Sequence, residues 1–169
     1  MALRILPDAV LQWDRLCAYR DWTLVAARLV EGIAVIDYRN DAALDLAVAR
    51  DLYAACSLGA RRPIGDDARL AAMLAHANLT ITAWDGDLLV GISRSLTDYG
   101  WTTYLADLAV RESHQRLGVG KELIRRTQAA APQAKIVLLA APAAVDYYPR
   151  IGMRHHASAW MLDGDASLR

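Results

Sequence analysis

Residues 104–127, YLADLAVRESHQRLGVGKELIRRT, constrain the fold of this chain more than any other stretch. Residues 104–110 are aromatic and aliphatic apart from Asp107, which predicts a strand covered on both faces. A basic loop follows, Gln115-Arg116-Leu117-Gly118-Val119-Gly120, and Val119, Leu123, Ile124 and Thr127 then fall on one helical stripe. Strand, glycine loop and helix in direct succession place a helix start beside a strand end.

A helix start offers free N–H groups backed by the positive end of the helix dipole, a natural seat for a phosphate oxygen. Gly118 and Gly120 permit close backbone approach, and Arg116, Lys121, Arg125 and Arg126 supply cations nearby. Two familiar phosphate loops do not fit. A P-loop needs glycine at 115 and Ser or Thr at 122, where the chain has Gln115 and Glu122. A dinucleotide fingerprint starting at Gly118 needs glycine at 123, where there is Leu123.

A length of 169 residues suits one domain with a substantial core, and 55% apolar with 22% charged residues is a globular balance. The formal net charge of zero gives no general attraction to nucleic acid, so the basic patch acts locally. Cys17 and Cys56 belong to no ligand cluster and read as buried thiols of a reducing compartment; no metal site is expected. Pro7 and Asp8 interrupt the opening residues before an apolar signal core develops, and no segment approaches the roughly 20 apolar residues of a membrane span. A cytoplasmic protein is expected.

Residues 1–32 read as an N-terminal extension, compatible with two strands or with helix. A strand is expected over 33–38, with Asn40-Asp41 capping a helix that carries Leu44, Val48, Leu52 and Cys56. The loop 61–65 leads to Asp66 as N-cap of a second helix with Leu70, Met73, Leu74 and Ala77 on one face. Residues 79–84 and 88–92, joined through Asp85-Gly86, predict a hairpin. After the central strand and its helix, KIVLLA at 135–140 predicts an interior strand, Pro142 a short helix, Gly152 its end, and 155–162 a last strand; 163–169 read as a tail.

The signature Gln/Arg-x-x-Gly-x-Gly/Ala, met at Gln115, Gly118 and Gly120 after a strand ending Leu108-Ala109-Val110, resembles the acetyl-CoA loop of the GNAT acetyltransferase superfamily. A second stretch, AVDYYPRIGM at 144–153, resembles that family's late helix, Phe-Tyr-x-x-x-Gly-Phe, with Tyr147-Tyr148 and Gly152-Met153 in the matching places. The element order agrees over 33–162, taken as the single domain. The resemblance implies an α/β (α+β) GNAT fold: a mixed central sheet of about six or seven strands, four flanking helices and an N-terminal extension. With one strand after the late helix where the family has two, the remaining edge falls to the extension or to a second subunit, so a homodimer is possible.

The resemblance further implies acetyl-CoA as cosubstrate and acetyl transfer to a primary amine of a small molecule or peptide, with no nucleic-acid or membrane partner. The pyrophosphate falls to the loop Gln115, Arg116, Leu117, Gly118, Val119, Gly120 and Lys121; the pantetheine arm falls to the strand end Leu108, Ala109 and Val110. Tyr148 matches the acid that protonates the departing thiolate, against the plainer reading of a packed tyrosine. Asp107 is the leading carboxylate for a base, or else a structural group binding nearby N–H donors. Arg61, beside Arg62 in a loop that borders the acceptor in the family, is a candidate for an acidic substrate group or a solvated arginine. Asp98, Tyr99 and Trp101 are candidates for an acceptor wall or for edge packing. His114 reads as solvated. The competing function is a noncatalytic CoA-binding sensor, which needs the loop but neither Tyr148 nor a carboxylate.

Overall fold

A computed structural model describes residues 35–40 and 43–167; the extension expected over 1–32 lies outside these residues. In chain order the elements are β1 (Asp37–Asn40), α1 (Leu46–Ala54), a 3-10 turn (Gly59–Arg61), α2 (Asp67–Ala75), β2 (Leu79–Asp85), β3 (Leu88–Thr97), β4 (Thr102–Val110), a 3-10 turn (Glu112–His114), α3 (Val119–Ala130), β5 (Lys135–Val137), a 3-10 turn (Pro142–Ala144) and α4 (Tyr147–Arg150). Five strands form one sheet in the order β1-β2-β3-β4-β5, all neighbours antiparallel except the parallel pair β4–β5. Four helices and a mixed sheet match the expected class, with five strands among the described residues in place of six or seven.

Helices cover both faces of the sheet, but β4 departs from the full cover its sequence predicts: Leu105, Asp107 and Ala109 are buried, Ala106 and Leu108 are only half-buried and Tyr104 is exposed. On one face Ala49, Leu52 and Tyr53 of α1 and Leu70 of α2 pack with Leu89, Ile92 and Ala109. On the other, Val119 and Leu123 of α3 pack with Leu79, Ile81, Ala83 and Val90. The apolar periodicity read for both early helices serves the core, although Leu44 and Cys56 do so from just beyond the helix ends and Ala77 lies past the end of α2 and outside this cluster.

Local signals account for most boundaries. Asp66 caps α2 as expected, its side chain accepting from the Arg69 N–H at 3.0 Å. The cap of α1 is Asp45, which accepts from the Ala47 and Val48 N–H groups at 2.8 and 3.1 Å, whereas Asn40, one of the two residues expected there, belongs to β1. The β2–β3 hairpin turns at Gly86, whose φ of +58° favours glycine.

Two expectations for the C-terminal part are corrected. The strand expected over 135–140 is only Lys135–Val137, and it lies at the sheet edge with Val137 and Leu139 exposed. It pairs with Thr102, Thr103 and Tyr104 and then leaves β4, so the apolar run that suggests an interior strand is only partly covered. Residues 155–162 form no strand, and Trp160 is 93% exposed. Ala157, Ser158 and Ala159 in that segment bury little, and a three-residue β5 offers a short template for pairing.

Candidate active site

The site begins at an irregularity in β4. Arg94 of β3 pairs with Asp107 while the next residue, Ser95, pairs with Leu105, so Ala106 is one residue more than β3 can match. Such a bulge reverses which backbone groups face which neighbour. Before it, Thr102 C=O accepts from the Asp98 N–H on the β3 side and Trp101 C=O from the Lys135 N–H on the β5 side. After it, the Arg111 N–H donates to Val90 of β3, so alternation turns the backbone of Ala106, Leu108 and Val110 away from β3. β5 no longer accompanies β4 there, because the last matched pair is Tyr104 with Val137. An open backbone edge results. Arg62 Nη2 donates to Ala106 C=O at 2.8 Å and Gln115 Nε2 to Val110 C=O at 3.0 Å, while Leu108 has no partner on that side among the described residues.

The edge runs into the glycine loop. Arg116 adopts φ +65°, a conformation that costs a non-glycine residue of order 1 kcal/mol. Gly118 at φ +86° is the N-cap of α3, and no side chain caps that helix. Its first N–H groups are therefore free for an anion. Gly120 has a different reason: a Cβ there would meet the Tyr147 hydroxyl at 3.1 Å, so this glycine makes room for a tyrosine. Val119 is buried beneath the turn, Leu117 stands exposed on it, and Arg116 and Lys121 have no ion-pair partner among the described residues. Arg125 and Arg126 are taken up by Glu122, with hydrogen bonds at 2.6 to 2.8 Å, and Arg126 also lies 4.6 Å over the Tyr38 ring. They do not serve the anion seat. Nor is His114 solvated: it bonds Ser113 through Nδ1 at 2.8 Å and Asp85 through Nε2 at 3.2 Å.

At the other end of the open edge lies a cleft of about 100 Å³ between β4, the chain after β5, the turn before α2, and α4, lined among others by Arg61, Arg62, Leu105, Leu108, Leu139 and Tyr148. Tyr148 is half-buried, stands edge-on to Tyr147 with ring centres 5.3 Å apart, and its hydroxyl has no hydrogen-bond partner among the described residues. Burial pushes the Tyr148 phenol above its ordinary value, with Tyr147 adding to the shift, so the hydroxyl keeps its proton. A larger cavity of about 340 Å³ lies along β1 and α3 at the opposite edge of the sheet, where Arg125 and Arg126 are already paired with Glu122.

Asp107 lies behind the cleft wall at 1% exposure and is fully engaged. One carboxylate oxygen accepts from Arg62 Nε at 2.5 Å; the other accepts from Arg94 Nε at 2.5 Å and from the Tyr53 hydroxyl at 2.9 Å. Arg94 also donates to Met73 C=O at 3.0 Å. Burial, and then the Asp107 charge, pushes the Tyr53 hydroxyl far above its usual range. This cluster braces α1, α2 and the turn against the bulge of β4. Arg94 and Tyr53 are invisible as site residues in the sequence, where nothing marks Ala106 as an extra residue, and Arg62, read with Arg61 as a pair bordering the acceptor, is instead held by Asp107 and Ala106.

The structure does not bring Asp98, Tyr99 and Trp101 to the cleft. They form the β3–β4 turn beside the paired ends of β4 and β5. Asp98 Oδ1 accepts from the N–H groups of Gly100, Trp101 and Thr102, and those of Trp101 and Thr102 chiefly hold its carboxyl below the usual range. Tyr99 donates to Asn78 C=O at 2.7 Å, and the Trp101 ring packs 4.0 Å from Lys135 Nζ.

The sequence pattern of the Acetyltransferase (GNAT) family matches residues 46–153, more than half of the chain. The chain belongs to the GNAT acetyltransferase family. It is accordingly an acyltransferase of a family that uses acetyl-CoA. Solved structures agree in fold. A GNAT-family acetyltransferase of Streptococcus pneumoniae superposes with a TM-score of 0.60 at 22% identity, over 76% of this chain and 98% of that one. A protein of unknown function from meticillin-resistant Staphylococcus aureus gives 0.65 at 20% identity, over 76% and 98%. An aminoglycoside N-acetyltransferase in complex with CoA gives 0.63 at 16% identity, over 82% and 100%. No curated protein sequence matches the chain.

Proposed function

We propose that this GNAT protein transfers an acetyl group from acetyl-CoA to a primary amine by direct attack. The observation that carries this reading is the continuity of three features: the uncapped start of α3 at Gly118, the open β4 edge at Leu108 and Val110, and the cleft holding the Tyr148 hydroxyl. Pyrophosphate seats on the N–H groups of the loop 115–120, with Arg116 and Lys121 as counter-charges. The amide groups of the pantetheine arm add to the β4 edge as a partial strand through Leu108 and Val110, with Ala109 turned to β3. The thioester then lies near the bulge.

The amine lone pair attacks the thioester carbonyl carbon, so a C–N bond forms and the C–S bond breaks. Tyr148 donates its proton to the departing thiolate and regains one from solvent, and the surplus N–H proton leaves to water. Asp107 has both oxygens engaged and does not line the cleft, which supports the structural alternative over the base. Among the described residues no carboxylate lines this cleft, and in this reading water is the proton acceptor.

Isothermal titration with acetyl-CoA, followed by an amine panel with thiol release monitored, tests the proposal. Micromolar binding and amine-dependent release are expected. Absence of binding overturns the assignment of the loop and the edge, and binding without release from any amine returns the chain to the sensor reading.

A further inference from the structure

We infer that the acceptor amine carries an anionic group, a carboxylate or phosphate, in the same molecule, and that Arg61 receives it. This rests on the acetyltransferase reading above. Among the described residues, the cleft that holds Tyr148 is lined by two arginines and by no carboxylate. Behind it, Arg62 and Arg94 share the single carboxylate of Asp107. With Arg61, three guanidinium groups stand at or behind this wall against one carboxylate among the described residues, a local excess of positive charge that attracts an anion.

Arg61 is the group free to do so. It is exposed at the cleft, ends the 3-10 turn Gly59–Arg61, and its guanidinium has no hydrogen bond or ion pair among the described residues. Its neighbour fixes its place, because Arg62 Nη1 donates to Arg61 C=O at 2.8 Å while Arg62 is itself held by Asp107 and Ala106. Arg61 thus sits on a braced turn rather than a loose loop. The acyl donor's phosphates do not account for the charge: their seat at Gly118 lies beyond Val110, roughly 13 Å along the strand from Ala106. A guanidinium receives a carboxylate or phosphate through paired N–H donors and repels a polycation. An aminoglycoside, the kind of acceptor named for one protein of similar fold, is such a polycation, and this cleft disfavours it.

The test compares matched acceptors under acetyl-CoA with thiol release as the readout. The pairs are amino acids against their carboxamides and phosphoethanolamine against ethanolamine, with kanamycin as the polycation. Carboxamides have the less basic amines and react faster if the anion plays no part. The expected result is a kcat/KM roughly tenfold or more higher for the anionic member of one pair, which also tells carboxylate from phosphate. Arg61→Ala should remove most of that ratio while acetyl-CoA affinity holds, and Arg61→Lys should restore part of it. Equal or better use of the neutral amines or kanamycin overturns the inference, as does a ratio unmoved in Arg61→Ala. So does binding of acetyl-CoA with no turnover of any anionic amine. Failure of acetyl-CoA to bind would instead remove the acetyltransferase reading on which the inference rests.

Discussion

Tyr148 and Asp107 show how residues of similar promise part once their surroundings are known. The Tyr148 hydroxyl is unpartnered at a cleft, and burial raises its pKa above 10.0. As a general acid it must be protonated, and a raised value keeps it so through neutral and mildly alkaline pH; its own loss of activity falls only above 10.0. Tyr148→Phe should lower kcat by roughly 10²-fold with acetyl-CoA affinity retained, read by steady-state kinetics and calorimetry. Unchanged turnover would remove the tyrosine from the acid role. Asp107 holds two guanidinium groups in a buried network. Asp107→Asn leaves both without their counter-charge, and the expected cost is of order 3–5 kcal/mol in urea denaturation. A base role without a structural one would show lost turnover at unchanged stability.

Among the elements, α3 carries the most chemistry for its length. Its start is uncapped at Gly118, and Glu122 in its first turn binds Arg125 and Arg126. Hydrogen bonding from Arg125 first, with Arg126 adding to it, holds the Glu122 carboxyl down to about 2, from an ordinary 4.5. A carboxyl depressed in the folded state stabilises the fold above its unfolded value and loses that contribution as pH falls through the folded one. The difference in melting temperature between the native chain and Glu122→Gln should therefore be constant above about pH 5 and shrink between 4.5 and about 2. A difference that persists unchanged into acid would show that the ion pairs contribute nothing. β4 is the complementary element: one extra residue, Ala106, turns its backbone outward where β5 departs.

For the molecule as a whole, the proposed ligand site joins β4, α3 and α4, with the braced turn at its rim, so binding should be felt by the entire fold. A ligand that binds only the folded state at a hundredfold excess over its Kd stabilises it by about 2.7 kcal/mol. Acetyl-CoA at that excess should raise Tm by several degrees in a thermal scan, and a charge reversal at Arg116 should diminish the shift. No shift would contradict the site. Among the described residues, no helix is long and apolar enough to cross a membrane.

Local chemistry in the sequence determined the helices, the hairpin and the glycine turn, because caps, apolar periodicity and left-handed glycine positions act over a few neighbouring residues. Asp66 before α2, Gly86 between β2 and β3, and Gly118 before α3 each stand where such signals place them. The loop 115–120 before α3 and the short helix that carries Tyr148 were legible for the same reason, as short motifs. The bulge at Ala106, the shortness of β5 and the grouping of Tyr53, Arg62, Arg94 and Asp107 were not, because these depend on register and packing between residues up to 54 positions apart. Only the tertiary structure could decide that Asp107 is held by two arginines, and that of the Arg61–Arg62 pair Arg61 has no partner for its guanidinium among the described residues.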